Sequence, residues 1–90
     1  MRKAFHAIIT GRVQGVFFRQ NTKARAEFLN ITGFTKNLKD GSVEVWAEGD
    51  EKNLEEILKF LKKGPKEALV EEIKIEWKPP KNYPEFNILY

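Results

Sequence analysis

Ile31-Thr32-Gly33-Phe34-Thr35-Lys36-Asn37-Leu38-Lys39-Asp40-Gly41-Ser42-Val43-Glu44-Val45-Trp46-Ala47-Glu48 is the stretch on which the fold turns. Residues 31–38 read as a strand, and Val43, Val45 and Ala47 alternate with Glu44, Trp46 and Glu48 at the period of a second one. Asp40-Gly41 lies between them, and Asp-Gly is a strong short-range hairpin signal because glycine accepts the positive φ of a tight turn. The two strands are therefore expected to pair antiparallel.

Toward the N-terminus the spacing changes. Phe18, Thr22, Ala26 and Leu29 fall on one stripe of a helix spanning 18–29, with Asn30 as a left-handed stop. Before that helix, Phe5, Ala7, Ile9 and Val13 alternate with His6, Thr10 and Arg12, the pattern of a half-buried strand. Toward the C-terminus, Gly49-Asp50-Glu51 supplies a turn and an N-cap. Leu54, Ile57, Leu58 and Leu61 follow at helical spacing, and Gly64-Pro65 ends the helix. Val70 to Trp77 alternates again, Pro79-Pro80 and Pro84 mark a connection, and Phe86, Ile88 and Tyr90 suggest a short last strand.

The order is strand, helix, strand, strand, helix, strand, with one short extra strand. It predicts an α+β fold, the ferredoxin-like βαββαβ sandwich, with a mainly antiparallel sheet and both helices on one face. Residues 1–90 are expected to form a single domain. That architecture serves RNA-binding, metal-carrying, regulatory and hydrolytic proteins alike, so function has to come from particular residues.

Composition narrows the choice. Apolar residues make up 41% and charged residues 32% of the chain, the balance of a globular protein. With no cysteine, disulfide scaffolds, thiolate metal sites and cysteine nucleophiles are excluded. The start, Met1 to His6, has no apolar leader-like run, and no stretch is apolar and long enough to span a bilayer; a cytoplasmic location is expected. The net charge of +3 suits an anionic ligand, but basic and acidic residues are mixed along the chain rather than concentrated as in nucleic-acid binders. Of the 16 basic residues 12 are Lys, and of the 13 acidic ones 11 are Glu, an enrichment associated with proteins from hot environments.

The most informative segment chemically is Gly11-Arg12-Val13-Gln14-Gly15-Val16-Phe17-Phe18-Arg19, where the first strand passes into the first helix. A helix N-terminus presents unpaired amides and a partial positive charge, so a phosphate gains several hydrogen bonds there. Arg19 adds a permanently charged planar fork matched to two phosphate oxygens. The segment carries neither G-x-x-x-x-G-K-[ST] nor G-x-G-x-x-G, so it does not read as a nucleotide site.

Taken together with Gly33-Phe34-Thr35-Lys36-Asn37-Leu38-Lys39-Asp40-Gly41-Ser42-Val43, Ala47-Glu48-Gly49 and the closing Phe86 to Tyr90, this segment resembles the acylphosphatase family over nearly the whole chain. The resemblance implies a cofactor-free hydrolase of acyl phosphates that needs no metal. In it Arg19 holds the phosphate, Asn37 positions the attacking water, and the Gly15, Val16, Phe17, Phe18 and Arg19 backbone forms the anion cradle. Inorganic phosphate is the implied competitive inhibitor. Phe17 stands where the family usually has a small residue such as Gly. Because positive φ would strain a Phe by roughly 1–3 kcal/mol, an ordinary backbone is expected there, with the ring at the mouth of the site. Phe34-Thr35-Lys36 replaces the family's usual Trp, aliphatic and basic run but keeps an aromatic anchor, and little effect on catalysis is expected.

Other readings are weaker on the residues. His6 is the only histidine and lies on the strand face opposite Phe5, Ala7 and Ile9, where a structural role is expected. Trp46, Trp77 and Phe34 raise the possibility of base stacking on the sheet, but the stacking motif of RNA-recognition domains is missing. A regulatory module that binds phosphate at the same loop without turnover is the remaining alternative.

Overall fold

The seven elements of the computed structural model, which describes residues 1–90, are β1 (Arg2–Arg12), α1 (Phe18–Phe28), β2 (Thr32–Asn37), β3 (Val43–Asp50), α2 (Glu51–Lys63), β4 (Leu69–Lys78) and β5 (Phe86–Leu89). The strands form one sheet in the order β4-β1-β3-β2-β5, antiparallel except for the β2–β5 pair. This is the βαββαβ arrangement with an added C-terminal strand that the pattern of elements predicts.

Register explains why the apolar residues alternate as they do. Phe5, Ala7 and Ile9 of β1 lie opposite Ala47, Val45 and Val43 of β3, so a single face of the sheet collects all of them. Phe18 and Ala26 of α1 and Leu54, Ile57 and Leu61 of α2 close over that face, and Phe86 seals it from β5. Each large side chain buried in this way contributes about 1.5–3 kcal/mol relative to exposure. Thr22 sits among them fully buried, and its hydroxyl donates to the Phe18 carbonyl one turn back at 2.8 Å, leaving no unpaired group in the α1 stripe.

In β4 the strict alternation predicted for 70–77 breaks. Val70, Ile73 and Ile75 pack on the core, and the first interval is three rather than two because the pairing with β1 skips Glu71. Gly11, opposite this bulge, has φ 122°, and a Cβ there would meet the Leu69 carbonyl oxygen at 2.1 Å. Only glycine lets the two backbones approach so closely.

Two details depart from the expected pattern. Asp50 precedes α2 but makes no side-chain cap, its carboxylate lying 3.8 Å from the Met1 amino group instead. Tyr90 lies beyond β5. Asn30 does take the left-handed conformation, φ 55°, just after α1.

The face of the sheet away from the helices is partly covered. The segment from Lys81 to Tyr83 crosses it, with the Tyr83 ring 5.8 Å from Phe34 and 6.4 Å from Trp46, and Lys81 Nζ 4.7 Å above Trp46. Trp46 keeps 5% of its surface, so it is not a free platform for a base. Beneath this cover Glu48 is fully buried. It accepts hydrogen bonds from Trp46 Nε1 and the Lys81, Asn82 and Tyr83 amides, and Arg2 Nη2 lies at 3.3 Å. Burial pushes its pKa up, but these donors outweigh burial and hold the carboxyl below its ordinary value. His6 is nearby on the same face, 2.8 Å from the Glu44 carboxylate. No helix is long and apolar enough to cross a membrane.

Candidate active site

The loop joining β1 to α1 has to reverse direction between two buried anchors, Val13 and Phe18, each no more than 2% exposed. Gly15 takes φ 75°, and Phe17, the residue before the helix, takes φ 61° and ψ 28°. The ordinary backbone expected at Phe17 is therefore incorrect. Its left-handed conformation is fixed from α1, because the Phe17 carbonyl accepts both the Asn21 amide at 3.1 Å and Asn21 Nδ2 at 2.8 Å. With Phe18 locked into the core, the neighbouring Phe17 side chain is turned out to solvent, 67% exposed.

The start of α1 carries no negative charge of its own. No acidic residue stands in its first turn and no side chain caps it, whereas α2 has Glu51 in its own first turn. The leading amides of α1 thus have neither an intrahelical acceptor nor a counter-charge within the helix. Arg19 lies one residue into the helix. It takes part in none of the chain's ion pairs, so the surface salt bridge that would be its bland explanation is absent. Instead Nη1 donates to the Leu89 carbonyl at 3.3 Å, and the guanidinium stacks on Tyr90 with its carbon 5.0 Å from the ring centre.

Asn37 arrives from the other side. It is the last residue of β2 and pairs with Val43, which puts its side chain on the helix-facing side of the sheet. Its Oδ1 is buried and has no hydrogen-bond partner. A cavity of about 150 Å³ is lined by Val13, Gly15, Phe17, Phe18, Arg19, Gln20 and Asn37. Of the residues singled out from the sequence, Arg19, Asn37, Gly15, Phe17 and Phe18 thus meet in one cavity. Val16 lines an adjoining groove that shares Phe17.

Gln14 was quoted in the motif without a role, and the structure supplies one. Its Nε2 donates to the carbonyls of Leu38 at 2.8 Å and Ser42 at 2.9 Å, tying the cradle loop to the hairpin that carries Asn37. The hairpin is itself closed by Leu38 N–H to Ser42 O at 2.9 Å, with Gly41 at φ 95°. Asp40 accepts from the Ser42 hydroxyl and amide, and those two bonds hold its carboxyl below the usual range. A glutamine reaching backbone carbonyls 24 and 28 residues away leaves no local sequence signal. The Asn21 clamp, by contrast, follows helical i, i+4 spacing and could have been anticipated.

Comparison with known proteins converges on one family. The acylphosphatase family model matches residues 5–88. An acylphosphatase of Caldanaerobacter subterraneus subsp. tengcongensis is 45% identical over 89 residues, covering 98% of this chain and 99% of the relative. One from Legionella pneumophila strain Paris is 49% identical over 81 residues, covering 90% of this chain and 89% of the relative. The crystal structure of acylphosphatase from Bacillus subtilis superposes with a TM-score of 0.94 at 33% identity, and each chain is covered in full. With a matching sequence model, full-length relatives and a superposable structure, the chain belongs to the acylphosphatase family, enzymes that hydrolyse acyl phosphates.

Proposed function

We propose that hydrolysis proceeds by direct in-line attack of water on phosphorus, in the cavity between α1 and the end of β2. The transferred phosphate sits on the first amides of α1 and the Gly15–Arg19 backbone, with the Arg19 guanidinium neutralising its oxygens. Asn37 Oδ1 accepts a hydrogen bond from the attacking water and holds it opposite the leaving group. As the water oxygen bonds to phosphorus, the bond from phosphorus to the acyl oxygen breaks and its electron pair leaves on the carboxylate. The proton lost by the water goes to a phosphate oxygen. The leaving carboxylate is weakly basic and needs no general acid.

The observation that carries this reading is the Asn37 carboxamide oxygen, buried and unpartnered in the same cavity as an Arg19 free of any carboxylate. Leaving a buried acceptor unpaired costs about 1–3 kcal/mol, which a substrate water would recover. Arg19 and the amides meet the phosphate charge, so activity is expected to survive treatment with chelators, and inorganic phosphate is expected to compete with substrate.

The test is a matched pair of substrates. Benzoyl phosphate and an alkyl phosphate monoester of similar size are assayed with purified protein, each with a phosphate inhibition curve. Benzoyl phosphate is expected to turn over far faster, mainly through kcat, because the alkyl monoester leaves as a strongly basic alkoxide. Similar turnover of both would overturn the mechanism.

A further inference from the structure

The small cavity that takes the phosphate accounts for only one side of Phe17. Phe17 also borders a larger groove of about 600 Å³, lined by Val16 of the same loop, Asn21 and Arg25 of α1 and, around the end of α2, Phe60, Lys63 and residues 64–67. Its volume is that of a small-molecule site and exceeds what a phosphate needs. We propose that this groove receives the acyl end of the substrate and recognises a second anionic group carried on it. This rests on the acyl-phosphate mechanism above and specifies which acyl phosphates the enzyme prefers.

The two spaces adjoin at one residue. Phe17 lines both, with its left-handed backbone held by Asn21 and its side chain exposed. Asn21 and Arg25 are four residues apart and so share one face of α1, and Phe17 lies just before the start of that helix. Eight residues of helix span about 12 Å, and helical side chains lean back toward the N-terminus, bringing the Arg25 guanidinium nearer the loop. A phosphate seated at the α1 N-terminus would thus have a small acyl chain of comparable reach lying along this face.

The charge of the groove selects the chain's far end. Arg25, Lys63 and Lys66 line it against a single carboxylate, Glu67, and none of these four takes part in an ion pair. Arg25 is steadied over the Phe60 ring, its guanidinium carbon 4.8 Å from the centre, which orients the fork at little entropic cost. The Phe17 and Phe60 rings provide apolar wall, and the cations provide an end-point for a carboxylate or second phosphate. Lys23 and Lys59, by contrast, each have a glutamate at close range, Glu27 and Glu56.

Benzoyl phosphate and 4-carboxybenzoyl phosphate differ only in a remote carboxylate, so they isolate the groove from the phosphate site. At an ionic strength of about 0.01 M the wild-type protein is expected to favour the carboxylated substrate by roughly fivefold in kcat/KM, mostly through KM. The preference should shrink in salt, and it should fall toward parity in the Lys63→Gln/Lys66→Gln double variant. Because both substrates use the same phosphate site, a partly misfolded variant lowers both rates and cancels in the ratio. Parity in the wild type, or an undiminished preference in the double variant, overturns the groove assignment while leaving the hydrolytic mechanism standing. Failure to hydrolyse either substrate removes the mechanism and the groove assignment together.

Discussion

Glu48 and Asn37 stand at opposite ends of the same β2–β3 hairpin and on opposite faces of the sheet, and the fold treats them in opposite ways. Glu48 is fully buried, and every approach to its carboxylate is filled by a donor from β1, β3 or the 81–83 segment. Asn37 keeps a buried oxygen with no partner at all, beside a left-handed Phe17 and an arginine without a carboxylate. A buried polar group with all its bonds made serves stability by fixing the segments that meet on it. One left unmade costs stability and is tolerated where a ligand supplies the missing bond.

The sharpest way to break this contrast is at Arg19. Arg19→Ala should lower kcat/KM for benzoyl phosphate by about 10³-fold or more and weaken phosphate inhibition, since it removes the only side-chain cation in the cavity. Its unfolding free energy, read by urea titration, should change by less than about 1 kcal/mol, as expected of a residue without a buried ion pair. Retained activity with intact phosphate inhibition would contradict the site.

Glu48→Gln should give the reverse result. Placing an amide NH₂ against a ring of donors is expected to cost about 3 kcal/mol of stability, while kcat/KM changes less than about twofold where the variant remains folded. The pH dependence carries the same sign. The folded protein holds Glu48 below its ordinary 4.5, so its contribution is complete above that value and is lost as pH falls through the lower folded value. The variant should accordingly show a flatter loss of stability on acidification below about pH 4.5. A parallel acid profile in both proteins would remove Glu48 from this account.

Asn37→Ala comes next, with kcat down about 10²-fold and the phosphate inhibition constant nearly unchanged, because a held water acts in the transition state more than in ligand binding. Unlike Glu48→Gln, it should leave the urea midpoint level or slightly higher, since the unpaired oxygen is gone. Equal losses in turnover and phosphate binding would point to a collapsed loop. The smallest effect belongs to Phe17→Gly. Relief of a left-handed Phe should offset the added chain entropy and leave stability within about 1 kcal/mol, whereas KM for benzoyl phosphate should rise as the aromatic wall is lost. An unchanged KM would place the acyl group elsewhere.

Periodicity settled most of the architecture before any coordinates. The 31–48 hairpin, the two helical stripes and the flanking strands are local patterns, and burial of one face per element leaves few ways to assemble them. The motif from Gly11 to Arg19 and the spacing to Asn37 likewise named the residues that meet in the cavity, through their resemblance to a family. Other features depended on contacts between distant parts of the chain. The skipped Glu71 in β4 follows from the close approach of Gly11, and Tyr90 leaves the strand pattern to stack on Arg19. The saturation of Glu48 requires the 81–83 segment to fold back over β3, and the Gln14 tie requires a loop and a hairpin that are neighbours only in space. Phe17 shows the division most directly. Steric preference for a lone phenylalanine favours an ordinary backbone, but two bonds to its carbonyl from Asn21 and the burial of Phe18 together impose the left-handed turn. Local propensities amount to about a kilocalorie per residue, and tertiary packing of a neighbouring aromatic is strong enough to override them.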